Sequence, residues 1–104
     1  MRTLLAALTA LILFATPVVG EQCEHSYSDE QIVVKALDSE IRKFKGNAIN
    51  LRVGPGVRYC LKRVLADGLS KSFEVTSQHE LWRQILLEGD FYWVHLGLLT
   101  SQKN

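Results

Sequence analysis

What the chain lacks narrows its class first. Excess charge of one sign is missing, since twelve Lys and Arg stand against eleven Asp and Glu in 104 residues. Nucleic-acid-binding domains are usually strongly basic, so no nucleic acid is expected as partner. Closely spaced histidines are missing too. His25, His79 and His95 lie 54 and 16 residues apart, without the i, i+2 or i, i+4 spacing that preorganises a metal site, and no metal or cofactor is expected. Gly54-Pro55-Gly56 lacks the Lys-Ser/Thr and helix of a phosphate loop. Cys60 and His95 offer the residue types of a thiol dyad, but the chain is too short for an exported peptidase fold. No catalytic residue is assigned, and the chain reads as a non-enzyme. Repeats, low-complexity runs and internal linkers are absent, and 104 residues support one small domain.

An apolar run long enough to cross a membrane is also absent. Leu4 to Ala15 falls short of the ~20 residues a spanning helix needs, and Pro17 follows. With Arg2 before it and the small residues Val18 and Gly20 behind it, residues 1–20 read as a cleaved signal peptide. The mature chain is expected to be periplasmic or secreted, with no stable membrane span. Gly20-Glu21-Gln22 before Cys23 is too polar for a lipoprotein signal.

Two cysteines remain, Cys23 and Cys60. In an oxidising compartment an even pair reads as a disulfide, here tying an N-terminal extension to the strand after the Gly-Pro-Gly turn. A free Cys23 beside a buried Cys60, or an intermolecular bridge, are the alternatives. Charge is unevenly spread: residues 41–63 carry seven bases and no acid, between acidic flanks. That middle could attract an anionic partner; the simpler reading is two solvated strand faces.

The most informative stretch is Ala48 to Tyr59, AINLRVGPGVRY. Ile49, Leu51 and Val53 alternate with Asn50 and Arg52, the period of a half-buried strand. Pro55 suits the second position of a tight turn, and Gly56 the positive φ that a type II turn needs next. Upstream, Ser28-Asp29-Glu30-Gln31 has the form of a capping box and predicts a helix over about 29–38. The β-branched run Ile32-Val33-Val34 makes a strand the competing reading. Downstream, Cys60 to Leu65, Phe73 to Thr76, Leu81 to Leu87 and Phe91 to His95 read as strands. Ser77 to Glu80 is turn-like, and Glu88-Gly89-Asp90 is a hairpin loop. Short strands with frequent turns predict an all-β fold.

Asn50-Leu51-Arg52, Gly54-Pro55-Gly56 and Tyr59 resemble the N-(L/V)-R-x-G-P-(G/S) opening of bacterial SH3-like domains. Leu81-Trp82-Arg83-Gln84-Ile85 is similar to that family's W-x-x-(V/I) strand. Trp93-Val94-His95 with Leu98-Leu99-Thr100 is similar to its closing GWV-x-x-x-x-L(L/I)-(S/T) segment, with Tyr92 where the family has Gly. The resemblance spans roughly residues 41 to 101. It implies a small SH3-like β-barrel over residues 40–101, preceded by an extension over 21–39, with a strand over Glu40 to Lys45.

It also implies a non-catalytic binding module whose partner is a cell-wall (peptidoglycan) peptide or an envelope protein. Aromatics suit peptide and sugar recognition, and SH3-type grooves use them for extended ligands. The expected ligand contacts are therefore Tyr59, Tyr92, Trp82 and Trp93, with Arg58 and Asn50 adding polar contacts. Both tryptophans could instead be core. A small disulfide-linked secreted inhibitor or effector acting on another protein is the alternative.

Overall fold

A computed structural model describes residues 22–28 and 30–101; the expected signal peptide lies outside the described residues. The fold is all-β. Six strands, β1 (Lys35–Lys43), β2 (Ile49–Arg52), β3 (Leu61–Leu65), β4 (Ser72–His79), β5 (Trp82–Leu87) and β6 (Asp90–His95), form one antiparallel sheet in the order β1-β4-β5-β6-β2-β3. The sheet is not closed by a strand pair between β1 and β3. It curls enough for the segment after β6 to meet the end of β1, through an antiparallel bridge of Phe44 with Leu99. Lys45 N donates to Leu98 O (2.8 Å) and Thr100 N to Lys43 O (2.9 Å) around that bridge.

Local chemistry sets the centre of the sheet. Glu88 (φ 51°) and Gly89 (φ 84°) are both left-handed, the backbone of the two-residue type I′ hairpin whose twist matches paired strands. Leu87 therefore faces Asp90, and the register runs outward to Trp82 opposite His95. Glu80 (φ 53°) lies in the tight turn from β4 to β5, where His79 pairs with Trp82.

Alternation then builds the core. Ile49 and Leu51 from β2, Phe73 and Val75 from β4, Ile85 and Leu87 from β5, and Tyr92 and Val94 from β6 bury one face together with Phe44, Leu65 and Leu99. The rings of Phe44 and Phe73 stack at 4.2 Å. The other face has its own cover. Trp93 points there, and Tyr27 packs edge-on against both Trp93 (5.9 Å) and Tyr59 (6.1 Å); such pairs add ~0.5–1.5 kcal/mol beyond area burial. Residues 22–28 thus lie across the back of the sheet.

That placement corrects the helix expected over 29–38. Gln31 N and Ile32 N donate to Ser28 O (3.0 and 3.1 Å), closing one turn. Extended chain follows, and β1 starts at Lys35, running through the expected domain boundary at 39/40. The β-branched run disfavours helix, and its apolar residues do not share a face: Ile32 is buried while Val33 is 81% exposed. The strand expected over Glu40 to Lys45 starts earlier for the same reason, since β4 supplies backbone partners from Lys35 onward. Ser77 to His79, expected as turn, are strand, because Gln84, Arg83 and Trp82 pair with them. The Gly-Pro-Gly stretch is not a type II turn: among the described glycines the left-handed one is Gly89. The turn closes two residues later, with Tyr59 N donating to Gly56 O (3.2 Å).

Candidate functional site

Two adjoining hollows of about 620 and 390 Å³ lie between the loop after β2 and the ends of β5 and β6, within the range of small-ligand sites. Both are lined by Val57, Trp82 and His95. Asn50, Arg52, Gly97 and Leu98 complete one end, and Pro55, Arg58, His79 and Glu80 the other. Together they form a groove with a half-buried tryptophan at its middle.

The hairpin register fixes the floor. Trp82, first in β5, faces His95, last in β6, and their rings meet edge-to-face at 5.4 Å. His95 Nδ1 accepts a hydrogen bond from Gly97 N (2.9 Å), capping the 3-10 turn Leu96–Leu98. The ring donor of the neutral imidazole is then Nε2–H. His79 Nδ1–H donates to Val33 O (2.9 Å), and its Nε2 sits 3.7 Å from Glu80.

The loop wall is stiff for three reasons. The Arg52 guanidinium donates to Val57 O (3.2 Å) and Tyr59 O (2.8 Å), pinning both ends of the turn to β2. Pro55 is buried with a fixed φ. Gly54 lies directly against the Tyr59 ring, where any Cβ would come within 2.5 Å of it. Val57 is left 74% exposed at the tip. Beside it, Arg58 stacks over Tyr59 (5.0 Å), donates to the Tyr59 hydroxyl (3.0 Å) and approaches Glu24 (3.8 Å). The hydrogen bond to Tyr59 is the largest influence raising the Arg58 pKa above its ordinary value, followed by the charges of Tyr59 and Glu24. Arg58 is a fixed cation at the rim.

Of the six expected ligand contacts, the groove brings Asn50, Arg58 and Trp82 together. Tyr59, Tyr92 and Trp93 do not open onto it. Tyr59 and Trp93 are each 1% exposed, sandwiched between the loop and Tyr27. Tyr92 faces the main core, with Lys62 over its ring at 5.0 Å. Their aromatic area stabilises the fold and cannot meet an external ligand directly. Val57, His95 and Leu98 escaped the sequence reading. His95 was findable there by counting from a two-residue turn at Glu88-Gly89, whereas the three-residue loop expected from the sequence puts Leu96 opposite Trp82.

The basic middle is largely committed elsewhere. Arg42 bonds Thr100 O and Glu40; Lys62 pairs with Asp90 (3.0 Å), and Arg63 with Glu88 (2.9 Å). Lys71 also meets Glu88 (2.7 Å). The hydrogen bonds from Lys71 and then Arg63 hold the Glu88 carboxyl below the usual carboxylate range. Lys62 does the same, as the largest cause, for Asp90.

The cysteines form a disulfide, Cys23–Cys60, with Cα atoms 4.9 Å apart and a separation of 37 positions in sequence. Cys60 lies beside His25 and not His95: its Sγ is 3.4 Å from His25 Nδ1. Among the described residues, no helix is long and apolar enough to cross a membrane. No family model, curated protein or solved structure matches the chain.

Proposed function

We propose that this chain is an exported SH3-like module of the bacterial type, which binds an extended cell-wall peptide in the Trp82 groove without catalysing a reaction. The carrying observation is the groove itself: a tryptophan face, a rigid rim with exposed Val57, and Asn50, Arg58 and His95 converging on it. Apolar area flanked by a few fixed polar groups suits an extended ligand with carbonyl and carboxylate groups. A concave surface favours this over an inhibitor, which would present a protrusion to its target. The Phe44–Leu99 bridge, joining the end of β1 to the chain after β6, supports barrel-like curvature. The disulfide is compatible with an oxidising, extracytoplasmic location.

The test is retention of the protein on purified peptidoglycan, beside Trp82→Ala and Val57→Asp. Val57 is solvent-facing, so its variant leaves the core intact. Loss of a tryptophan anchor at the centre of an interface weakens binding by ~2 kcal/mol or more, roughly 30-fold. Wild type retained and both folded variants released is the expected result. Wild type washing through at low salt would transfer the groove to an envelope protein partner.

A further inference from the structure

We infer that Cys23, His25 and Cys60 form a soft-metal site, closed while the cysteines are bonded to each other and opened for Cu(I) when they are reduced. The Sγ atoms of both cysteines and a ring nitrogen of His25 all lie within 4.8 Å of one another. Cys60 Sγ is 3.4 Å from His25 Nδ1 and 3.8 Å from Nε2. Three donors at ~2.0–2.3 Å from one ion in a trigonal plane stand roughly 3.5–4 Å apart, so the imidazole already stands at about that distance from the Cys60 sulfur. The Cys23 sulfur, bonded to Cys60 and within 4.8 Å of the His25 ring nitrogen, must move to the same spacing from both, and reduction releases it to do so.

The backbone keeps the ligands together without the sulfur bond. Glu24 N donates to Arg58 O (2.9 Å) and Cys60 N donates to Glu24 O (2.9 Å), a parallel bridge of Glu24 with Tyr59. Tyr27 then anchors the segment through its ring contacts with Tyr59 and Trp93. Cys23 and His25 therefore flank a fixed point. The sequence carries the pair as Cys-x-His, which a search of histidine spacings alone passes over. Cys60 is buried, Cys23 half-buried and His25 exposed, so an ion enters from the His25 side.

Two thiolates and an imidazole are soft donors, and soft donors select Cu(I). A closed structural zinc site would need a fourth protein ligand, and the neighbouring carboxylate of Glu24 is engaged with Arg58. The redox step balances as a dithiol exchange. The reductant loses two electrons and two protons and becomes a disulfide; the Cys23–Cys60 bond breaks and each sulfur takes one of those protons. Binding of Cu(I) then displaces both thiol protons to solvent.

The experiment reduces the protein with dithiothreitol, removes the reductant without oxygen, and titrates with Cu(I) held by bicinchoninate. The reduced protein is expected to take one equivalent and the oxidised protein none. His25→Ala, a change at an exposed side chain, keeps the disulfide, so its folding is checked in the oxidised form first. After reduction it should bind at least about tenfold more weakly, since even indirect partners of a metal ligand cost 10–100-fold. Near-UV circular dichroism reports whether the tryptophans stay packed. The site is overturned by any of four results: Cu(I) left with bicinchoninate, undiminished affinity in His25→Ala, an equivalent bound by the oxidised protein, or a reduced protein whose lost near-UV signal Cu(I) does not restore.

Discussion

Gly54→Ala and Gly56→Ala form a matched pair whose members should behave in opposite ways. A Cβ at Gly54 would stand 2.5, 2.6 and 2.8 Å from three atoms of the Tyr59 ring. That ring cannot give way. It is 1% exposed, in edge-on contact with Tyr27, and tied at its hydroxyl by Arg58. Overpacking at an unyielding site destabilises by typically ~1–3 kcal/mol, and a clash this deep belongs in the upper half. Replacing a glycine returns ~0.4–1 kcal/mol through the unfolded chain, leaving a net loss of about 1.5–2 kcal/mol. At Gly56 the nearest ring atoms would be 3.5 and 3.6 Å away, an ordinary contact. Nothing opposes the entropic gain there, so Gly56→Ala should be neutral or stabilising by up to ~1 kcal/mol. Urea denaturation followed by tryptophan fluorescence separates the two. With a slope of ~1–3 kcal/mol per molar, the Gly54→Ala midpoint falls by about 0.5–2 M. Equal midpoints for the two variants, or a Gly54→Ala as stable as wild type, would refute the claim that Tyr59 supports the loop as a rigid core residue.

Two further outcomes test the frame around the groove. Reducing the disulfide, or replacing Cys23 with Ser, should lower unfolding stability by about 4 kcal/mol, the chain-entropy value for residues 37 positions apart; denaturation with and without reductant measures it. Glu88, whose folded pKa is depressed by Lys71 and Arg63, contributes stability that is present above the unfolded glutamate value of about 4.3 and lost as pH falls through the lower folded value. Wild type should therefore exceed Glu88→Gln in urea midpoint at neutral pH. The gap should close in acid and shrink at high salt, because the pairs are solvent-facing.

The middle and end of the sheet were legible because their signals are local. Ile49 and Leu51 alternate with polar neighbours and bury as that pattern requires. The hairpin itself was legible at Glu88-Gly89-Asp90, but its register was not: the loop is Glu88-Gly89 alone, and Asp90 belongs to β6 and pairs with Leu87, which sets every pair out to Trp82–His95. The N-terminal third was not legible, because its placement depends on partners far away in sequence. Tyr27 sits alone in a polar stretch with no period, yet it covers Tyr59 and Trp93. Alternation in β6 cannot distinguish solvent from a second covered face, so Trp93 and Tyr59 looked available for a ligand. The helix expected from the capping-box form of Ser28 to Gln31 was overridden by backbone pairing of β1 with β4. Trp82 was recognisable as a candidate; its surroundings required the fold.

The outermost position of β1 has a consequence for how molecules of this protein meet one another. A strand at the border of an open sheet carries unpaired peptide groups that a second molecule can extend into a growing β-stack. Here β1 advances four positions, from Ala36 to Glu40, while β4 advances two, from Ser77 to Val75. The bulge interrupts the straight row that stacking needs. Lys35, Asp38, Arg42 and Lys43 place charge along the same strand, so Ile41, 66% exposed, is isolated among groups that resist dehydration. The irregularity of β1 thus disfavours templated stacking along this border of the sheet.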